Sequence, residues 1–527
     1  KIIAYDRLDS PGPWQSRVLL VADDLVDPSN IHEPETYFLH DAERMPLPEN
    51  LDLTKLYIAN FPIQGRIKPK ARDEFIRLFN EGSVLLTYLG HGNPETLAHE
   101  QIFVVSRDLP SIDNSGRLPF MYTAASQIGV FDDPDRQSMP EVLLNEPHRG
   151  VIGFICATRI DFHSSNALLA RKFHESMFRT NRDGLPVGLG LLEAKAIAHA
   201  LVVKDVHRTN VARYSLIGDP TLRLAVPRVG IVIELPDTLE ALQEATLHGR
   251  VVDANNELRV DYDGQALVRV FDSAVLSDLD GLLYVQQGSV IFRGHVDVVD
   301  GRFSATLRVP KDISYRAADG RASAYAVRTD GTQNATGLAT APAFGARSKI
   351  LLEGTARDID PDVDGPQIRI GFQGQTTFRD GDFVAPQPVL RAILSDPSGI
   401  NVTGETGHEI ELIVDGERMV VTDHYNSLAG DYRRGLLEVE LPVLEPGDHT
   451  LSLRAWDSFN NSTRVGVTIR VPASTQQGLS DLLFYPNPSP DGKGHFTYVL
   501  SSPATSSRLR IYALSGRLID TVEGGTG

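Results

Sequence analysis

The stretch GSVLLTYLGHGN, residues 82–93, joins a short apolar run to a histidine enclosed by two glycines. A continuous apolar run of this length is typical of a strand buried on both faces of a parallel sheet. Four other runs share this character: RVLLVADD (17–24), KLYIANF (55–61), LPFMYTAAS (118–126) and GVIGFICATR (150–159). Helical patterns lie between them, as in KPKARDEFIRLFNEG (68–82). This alternation predicts a largely parallel sheet covered by helices over residues 1–226.

Length and charge limit the class of protein. A chain of 527 residues is too long for one hydrophobic core, so we expect several domains. The net charge of −18 argues against a general nucleic-acid binder, because neutralising phosphates requires a basic surface. The single cysteine, Cys156, excludes an intramolecular disulfide and a cysteine-ligated zinc site. No run of about 18 apolar residues occurs, so no transmembrane helix is predicted.

After residue 226 the apolar pattern changes to a period of two. Segments such as EATLHGRVVDANNEL (244–258) alternate apolar and polar residues between Gly, Asp and Asn turns. This alternation is typical of antiparallel β-sandwiches. We therefore predict β-sandwiches over residues 227–347 and 348–474, and a linker with the start of a truncated β domain over residues 475–527. The first residues do not resemble a signal peptide, and we expect the chain to begin inside a domain.

Three features of the first domain predict a catalytic site. His91 lies between Gly90 and Gly92 directly after one apolar strand, and Ser126 follows another. The acidic loop FDDPDR (131–136) comes just beyond Ser126. The carboxyl ends of parallel strands are where ligands and chemistry collect. A glycine after the histidine also leaves a backbone N–H accessible as an oxyanion donor.

Each candidate also has a purely structural interpretation. A serine after a strand is more often a turn residue, and no G-x-S-x-G motif surrounds Ser126, which disfavours an ordinary α/β-hydrolase. A histidine in a loop is often only a surface or core residue. Cys156 lies inside the apolar run VIGFICATR (151–159), where a buried small hydrophobe is a better interpretation than a nucleophile.

The segment DIDPDVDG, residues 358–365, spaces three aspartates like the first half of a calcium loop. The candidate ligands are Asp360, Asp362 and Asp364. The twelfth position of such a loop is Gly371 rather than glutamate, which excludes a strict EF-hand. A calcium ion on these aspartates is one hypothesis, and a turn of solvated acids is the other. No further cofactor is expected.

Several motifs resemble the gingipain family of cysteine peptidases, in particular its type IX secretion sortase branch (PorU-like). In the first domain they are YLGHGNPETLAHEQI (88–102), TAASQIGVFDDPDRQSMPEVLLNEPHRGVIGFICATR (123–159) and LIGDPTLRLAVP (216–227). The similarity continues through GINVTGETGHEIELIVDGE (399–417), GDHTLSLRAWDSFNNST (447–463) and YPNPSP (485–490). The resemblance implies a caspase-like, parallel-sheet α/β domain followed by Ig-like β-sandwich domains.

The resemblance also assigns roles to the candidate residues. His91 would be the general base, and Ser126 would occupy the position of the family's nucleophilic cysteine. The backbone N–H groups of Gly92 and Ser126 would form the oxyanion hole. The family's histidine is oriented by an acid that corresponds to a glutamate before KIIAYD (1–6), so we expect that acid to lie upstream of Lys1.

The activity that the resemblance implies is cleavage of C-terminal sorting domains from secreted cargo through an acyl-enzyme. The partners would be such cargo proteins and other surface subunits of type IX secretion, at the cell surface, outer-membrane associated or extracellular.

A serine hydroxyl is much harder to deprotonate than a thiol. Ala125, Gln127 and Ile128 also depart from the family's pattern. Three alternatives therefore stay open: a sortase-like peptidase, a true serine peptidase on this fold, and a degenerate homologue that binds cargo tails or partners without cutting.

Overall fold

The computed structural model describes most of the chain. The described residues are 1–7, 9–24, 36–179, 184–202, 204–279, 282–314, 319–329, 341–357, 359–375, 377–472, 479–485, 495–500 and 507–524. Among them, no helix has both the length and the apolar character needed to cross a membrane.

The first part of the chain is built on a six-stranded sheet. Its strands and the short hairpin between them are β1 (Arg17–Ala22), β2 (Asp52–Tyr57), β3 (Leu85–Leu89), β4 (Thr96–Leu97), β5 (Phe103–Val104), β6 (Phe120–Ala124), β7 (Gly153–Ala157) and β8 (Tyr214–Ile217). The strand order across the sheet is β2-β1-β3-β6-β7-β8. All pairings are parallel except that of β8, which runs antiparallel to β7. The predicted parallel-sheet α/β domain is confirmed.

Helices cover both faces of this sheet. They are α1 (Ile2–Asp6), α2 (Thr36–Glu43), α3 (Pro69–Glu81), α4 (Val105–Asp108), α5 (Met139–Asn145), α6 (His163–Phe178), α7 (Val187–Leu201) and α8 (Asp205–Ala212). Along β1, Val18 and Leu20 pack in the core beneath α2, α6 and α7, whereas Leu19 and Val21 pack in the core beneath α3 and α5. Successive side chains of a strand point to opposite faces, so a strand between two cores needs a continuous apolar run.

Beyond β8, the described part of the chain contains strands, loops and one 3₁₀ turn (Thr422–His424). The first group of strands is β9 (Val229–Glu234), β10 (Thr238–Ala241), β11 (Glu244–Val252), β12 (Gly264–Phe271), β13 (Val275–Leu279), β14 (Leu282–Gln286), β15 (Val290–Val298), β16 (Arg302–Arg308), β17 (Asp319–Arg328) and β18 (Ala343–Thr355). The second group is β19 (Gln367–Phe372), β20 (Val389–Ser395), β21 (Glu411–Val414), β22 (Glu417–Val420), β23 (Tyr425–Leu428), β24 (Asp431–Glu440), β25 (Gly447–Trp456) and β26 (Ser462–Val471). Two hairpins follow, β27 (Leu479–Tyr485) with β28 (His495–Leu500) and β29 (Ser507–Tyr512) with β30 (Leu518–Gly524).

Each of the two main strand groups has its own hydrophobic core. The cores are nevertheless bordered by one continuous sheet of twelve strands, because β15 pairs with β23 and β16 pairs with β24. β18 spans the predicted boundary between residues 347 and 348, and its pairing with β9, β10 and β17 joins residues up to Thr355 to the first core. The expectation that β-rich domains follow the α/β domain is confirmed.

An ion-pair cluster joins the α/β part to the first β core. Asp52, at the start of β2, is 8% exposed and lies between two arginines of the β-rich part. Arg269 of β12 donates to one carboxylate oxygen, and Arg321 of β17 places a guanidinium nitrogen 3.1 Å from the other. Removing one partner from a buried ion pair leaves an uncompensated charge, which costs more than the pair itself contributes.

Asp52→Asn is therefore expected to lower the free energy of unfolding by about 3 kcal/mol, since two buried guanidinium groups lose their carboxylate. Denaturant titration would measure the difference. The matched control is Asp73→Asn, because Asp73 pairs with Arg72 on the exposed face of α3. This control should change stability by less than about 0.5 kcal/mol. Equal unfolding curves for the two variants would contradict the role of Asp52.

Candidate active site

Polar side chains meet where four neighbouring strands end. The parallel pairings of β1 with β3, β3 with β6 and β6 with β7 bring their carboxyl ends to one edge of the sheet. Asp23 follows β1, His91 follows β3, Ser126 follows β6 and Asp161 comes after β7. His91 and Ser126 therefore lie at adjacent strand ends of one sheet. We call this row of strand ends the site edge.

The backbone of His91 is fixed by hydrogen bonds on both sides. Its N–H donates to Oδ2 of Asp23 at 2.8 Å, and its carbonyl accepts the hydroxyl of Tyr88 at 2.6 Å. The imidazole stacks on the ring of His99 with 4.5 Å between centroids. The ring of Phe38 meets the imidazole edge-on at 5.4 Å. These contacts hold the imidazole at the site edge.

Gly92 is required by a close approach of two segments. A Cβ atom at this position would lie 2.5 Å from Cδ1 of Ile128, in the segment that follows β6. Gly92 also forms an antiparallel bridge with Leu97, in which the flanking residues make the hydrogen bonds. In such a pair the N–H of Gly92 points away from Leu97. That direction suits a donor to a ligand at the site edge.

Ser126 is hydrogen-bonded to a carboxylate that the sequence analysis missed. Its hydroxyl donates to Oδ1 of Asp161 at 2.5 Å, and the N–H of Asp161 donates back to the Ser126 oxygen at 3.3 Å. Burial raises the pKa of Asp161 above its ordinary value, although the hydrogen bond from Ser126 acts in the opposite direction. The next residue, Gln127, has a φ of 57°, a conformation that non-glycine residues rarely adopt. Asp161 could have been found as an acid just beyond a buried strand.

Buried acids lie beside His91. One carboxylate oxygen from each of Asp23, Asp24 and Glu100 lies within 4.8 Å of the others, and the three residues are at most 2% exposed. Lys68 forms a buried ion pair with Asp24, whereas Oε1 of Glu100 has no hydrogen-bond partner among the described residues. Burial raises the pKa of Asp23 to about 7 and that of Glu100 to about 8.

These acids bear on the expected orienting group. The resemblance places that acid upstream of Lys1, and this placement stays a prediction; among the described residues, Asp23 accepts the backbone N–H of His91, and Asp24 is the next residue along the chain. The signal was present in the sequence, since the run RVLLVADD (17–24) ends on both aspartates. Cys156, by contrast, is fully buried in β7, and burial raises the pKa of its thiol.

One of the three aspartates of the calcium hypothesis lies close to two other carboxylates. Asp362 forms a group with Asp396 and Asp457, in which one carboxylate oxygen from each lies within 4.8 Å of the others, and neither Asp360 nor Asp364 belongs to this group. The calcium hypothesis on Asp360, Asp362 and Asp364 stays a prediction, and the structure adds Asp362, Asp396 and Asp457 as another candidate group. The approach depends on loops more than 30 residues apart, which local spacing does not reveal.

The part of the chain that carries the site edge is similar to a known peptidase family. Residues 1–225 match the model of peptidase family C25. This part of the chain is similar in sequence to that peptidase family. The gingipain resemblance read from the motifs is thereby confirmed over the α/β part.

Solved structures of two such proteins are similar to the chain. Dimeric latent PorU from Porphyromonas gingivalis shows 25% identity over 72% of this chain and 36% of that chain, with a TM-score of 0.32. The complex of Porphyromonas gingivalis RgpB pro- and mature domains shows 17% identity over 66% and 73% of the two chains, with a TM-score of 0.34. The chain thus corresponds to about a third of the length of that PorU chain. None of the curated proteins compared with the chain matches it.

Glu100→Gln tests the buried acids through the dependence of stability on pH. A carboxyl group whose pKa is raised in the folded state stabilises the fold at low pH, and this stabilisation is lost as the pH rises through about 8. Glutamine keeps the size of the side chain but cannot ionise. Its melting temperature should exceed that of the parent by about 2 °C or more near pH 9 and match it near pH 5. Glu95→Gln, an exposed acid in the same loop, should show no such pH-dependent difference.

Removal of calcium should have little effect on stability. Oδ2 of Asp362 already accepts the hydroxyl of Ser398, and the carboxylate of Asp457 accepts hydrogen bonds from its own turn. A chelator is therefore expected to lower the melting temperature by less than about 2 °C, measured by calorimetry. A large fall in melting temperature on adding chelator, reversed by calcium in the parent but not in Asp396→Asn, would contradict this prediction. It would establish a calcium site at Asp362, Asp396 and Asp457.

Proposed function

We propose that the chain acts as a surface sortase-like peptidase of a type IX secretion system. Its substrate would be the C-terminal sorting domain of a secreted protein, bound at the site edge and cut through an acyl-enzyme. The observation that supports this proposal is the placement of His91 and Ser126 at adjacent strand ends, within the region that matches peptidase family C25. The protein would work at the cell surface, outer-membrane associated or extracellular.

The site edge offers the parts that acyl transfer requires. The Ser126 oxygen would attack the carbonyl carbon of the scissile peptide bond, and the N–H groups of Gly92 and Ser126 would stabilise the oxyanion. His91 supplies an imidazole one strand away. The acyl group on Ser126 would then pass to water or to an amine, such as one on surface lipopolysaccharide. Partners would be cargo proteins with C-terminal sorting domains and other subunits of the same surface machinery.

The hydrogen bond between Ser126 and Asp161 favours a second candidate function. A carboxylate 2.5 Å from the attacking oxygen repels the negative charge that develops there unless it takes up the hydroxyl proton, and a serine alkoxide never accumulates. A homologue that binds the sorting domain or a partner without cutting would tolerate this arrangement. Binding without turnover is therefore the alternative.

Ser126→Cys separates the two candidates. The protein with Ser126 is expected to be slow or inactive, whereas the thiol variant should regain cleavage, because an imidazole can hold a thiolate as an ion pair. The measurement is cleavage of a sorting-domain peptide, together with labelling by a thiol-directed, substrate-like inhibitor. Ser126→Ala is the matched control, and the buried Cys156 should remain unlabelled in every variant.

Labelling and cleavage by the thiol variant would identify a disarmed peptidase. Peptide binding with neither result, measured by calorimetry, would instead support the non-cutting homologue. Rapid cleavage by the unmodified protein would contradict the disarmed peptidase and the non-cutting homologue, and would establish a serine mechanism for the proposed activity.

A further inference from the structure

The proton of the Ser126 hydroxyl has a defined destination in the structure. A serine hydroxyl contains one hydrogen, and that of Ser126 is donated to Oδ1 of Asp161 at 2.5 Å. The group placed to accept the proton is therefore a carboxylate on the side of β7, and His91 lies on the side of β3. We propose that Asp161 is the general base for Ser126, so that the two residues form a serine–aspartate dyad. This inference rests on the proposed acyl-transfer function of the site edge.

Asp161 is held in place by a network that extends into two helices. The hydroxyl of Tyr214 donates to its second oxygen at 3.2 Å, and the side chain of Asn166 donates to the same carboxylate. The amide oxygen of Asn166 accepts a hydrogen bond from Asn210 at 2.8 Å, which fixes the direction of its NH₂ group. The oxygen of Asn210 in turn accepts the N–H of Phe162 at 2.7 Å. Both asparagines are at most 3% exposed, so this relay is built into the core.

The environment also makes Asp161 a stronger base than an ordinary aspartate. Burial raises the pKa of its carboxyl, while the hydrogen bonds from Ser126, Asn166 and Tyr214 and the charge of Arg213 act in the opposite direction. A base is most effective when its pKa approaches the working pH without exceeding it. A partly buried carboxylate with a raised pKa meets this condition better than an exposed one.

The chemical step balances within the dyad and the substrate. The O–H bond of Ser126 breaks, its proton moves to Oδ1 of Asp161, and the serine oxygen bonds to the carbonyl carbon of the peptide. The carbonyl electron pair moves to oxygen. As the C–N bond then breaks, the proton on Asp161 moves to the leaving nitrogen, which departs as a free amine. A water molecule next gives a proton to Asp161 and its hydroxide to the ester carbon, and Ser126 regains its hydrogen from Asp161.

The dyad separates the role of Asp161 from that of His91. An imidazole can activate a thiol by forming an ion pair, but a hydroxyl must transfer its proton during attack to a base already in contact with it. Asp161 is in that contact. His91 would therefore activate a cysteine at position 126, whereas the serine present here depends on Asp161 as its base.

The test is the rate at which a fluorophosphonate, a serine-directed acylation mimic, labels Ser126 in the full chain. Asp161→Asn should lower this rate at least about 100-fold, because proton transfer is lost. His91→Ala should retain more than about a tenth of it. Asp73→Asn removes an exposed carboxylate of α3 and should leave the rate unchanged. The decline of labelling at acid pH should disappear in Asp161→Asn and persist in His91→Ala.

A second pair of variants shows that any loss is not caused by misfolding. In Ser126→Cys the additional change Asp161→Asn should accelerate alkylation of the thiol, because removing a nearby negative charge favours the thiolate. Misfolding would also expose the buried Cys156, so the gain counts for the dyad only where alkylation stays confined to position 126.

Three results would overturn the dyad: no labelling of the parent, equal labelling of the parent and Asp161→Asn, or a rate that depends on His91 alone. Labelling that requires Asp161, without cleavage of sorting-domain peptides, would support the dyad and reject only the proposed substrate.

Discussion

The parallel pairing of β1, β3, β6 and β7 is the constraint on which the site depends. Parallel strands present all their carboxyl ends at the same edge, so residues far apart in the chain become neighbours without any long loop. This geometry brings four residues to one edge of the sheet: Asp23, His91, Ser126 and Asp161. The two cores that enclose the sheet keep the strands in register, and the site edge therefore has a rigid support.

The site edge concentrates buried negative charge on both sides of the candidate nucleophile. Asp23 and Glu100 lie on the side of β1 and β3, and Asp161 lies on the side of β7. Burial raises the pKa of all three carboxyl groups, and for Asp23 and Glu100 the neighbouring carboxylates raise the pKa further. Such a site opposes a free anionic nucleophile. It suits a reaction in which the hydroxyl proton passes directly to a neighbouring carboxylate as the oxygen attacks.

The sequence predicted the architecture well because strands between two cores require continuous apolar runs, and each of the five runs contains or overlaps a strand. It also indicated His91 and Ser126 through their positions at strand ends. Asp161 was missed because its importance arises from its hydrogen bond with Ser126, which lies 35 residues earlier in the sequence. The grouping of Asp362 with Asp396 and Asp457 was missed for the same reason. Local spacing specifies elements, whereas contacts between distant loops depend on packing.

The twelve-stranded sheet has a consequence for solubility. Strand edges with unpaired N–H and C=O groups invite pairing with other chains, and proteins cover or interrupt them. Here β23 and β24 of the second core lie against β15 and β16 of the first, so each β-rich part shields a border of the other. Separating the two parts would expose unpaired backbone N–H and C=O groups on both of them. Their union thus serves as a defence against aggregation as much as a means of attaching one domain to the next.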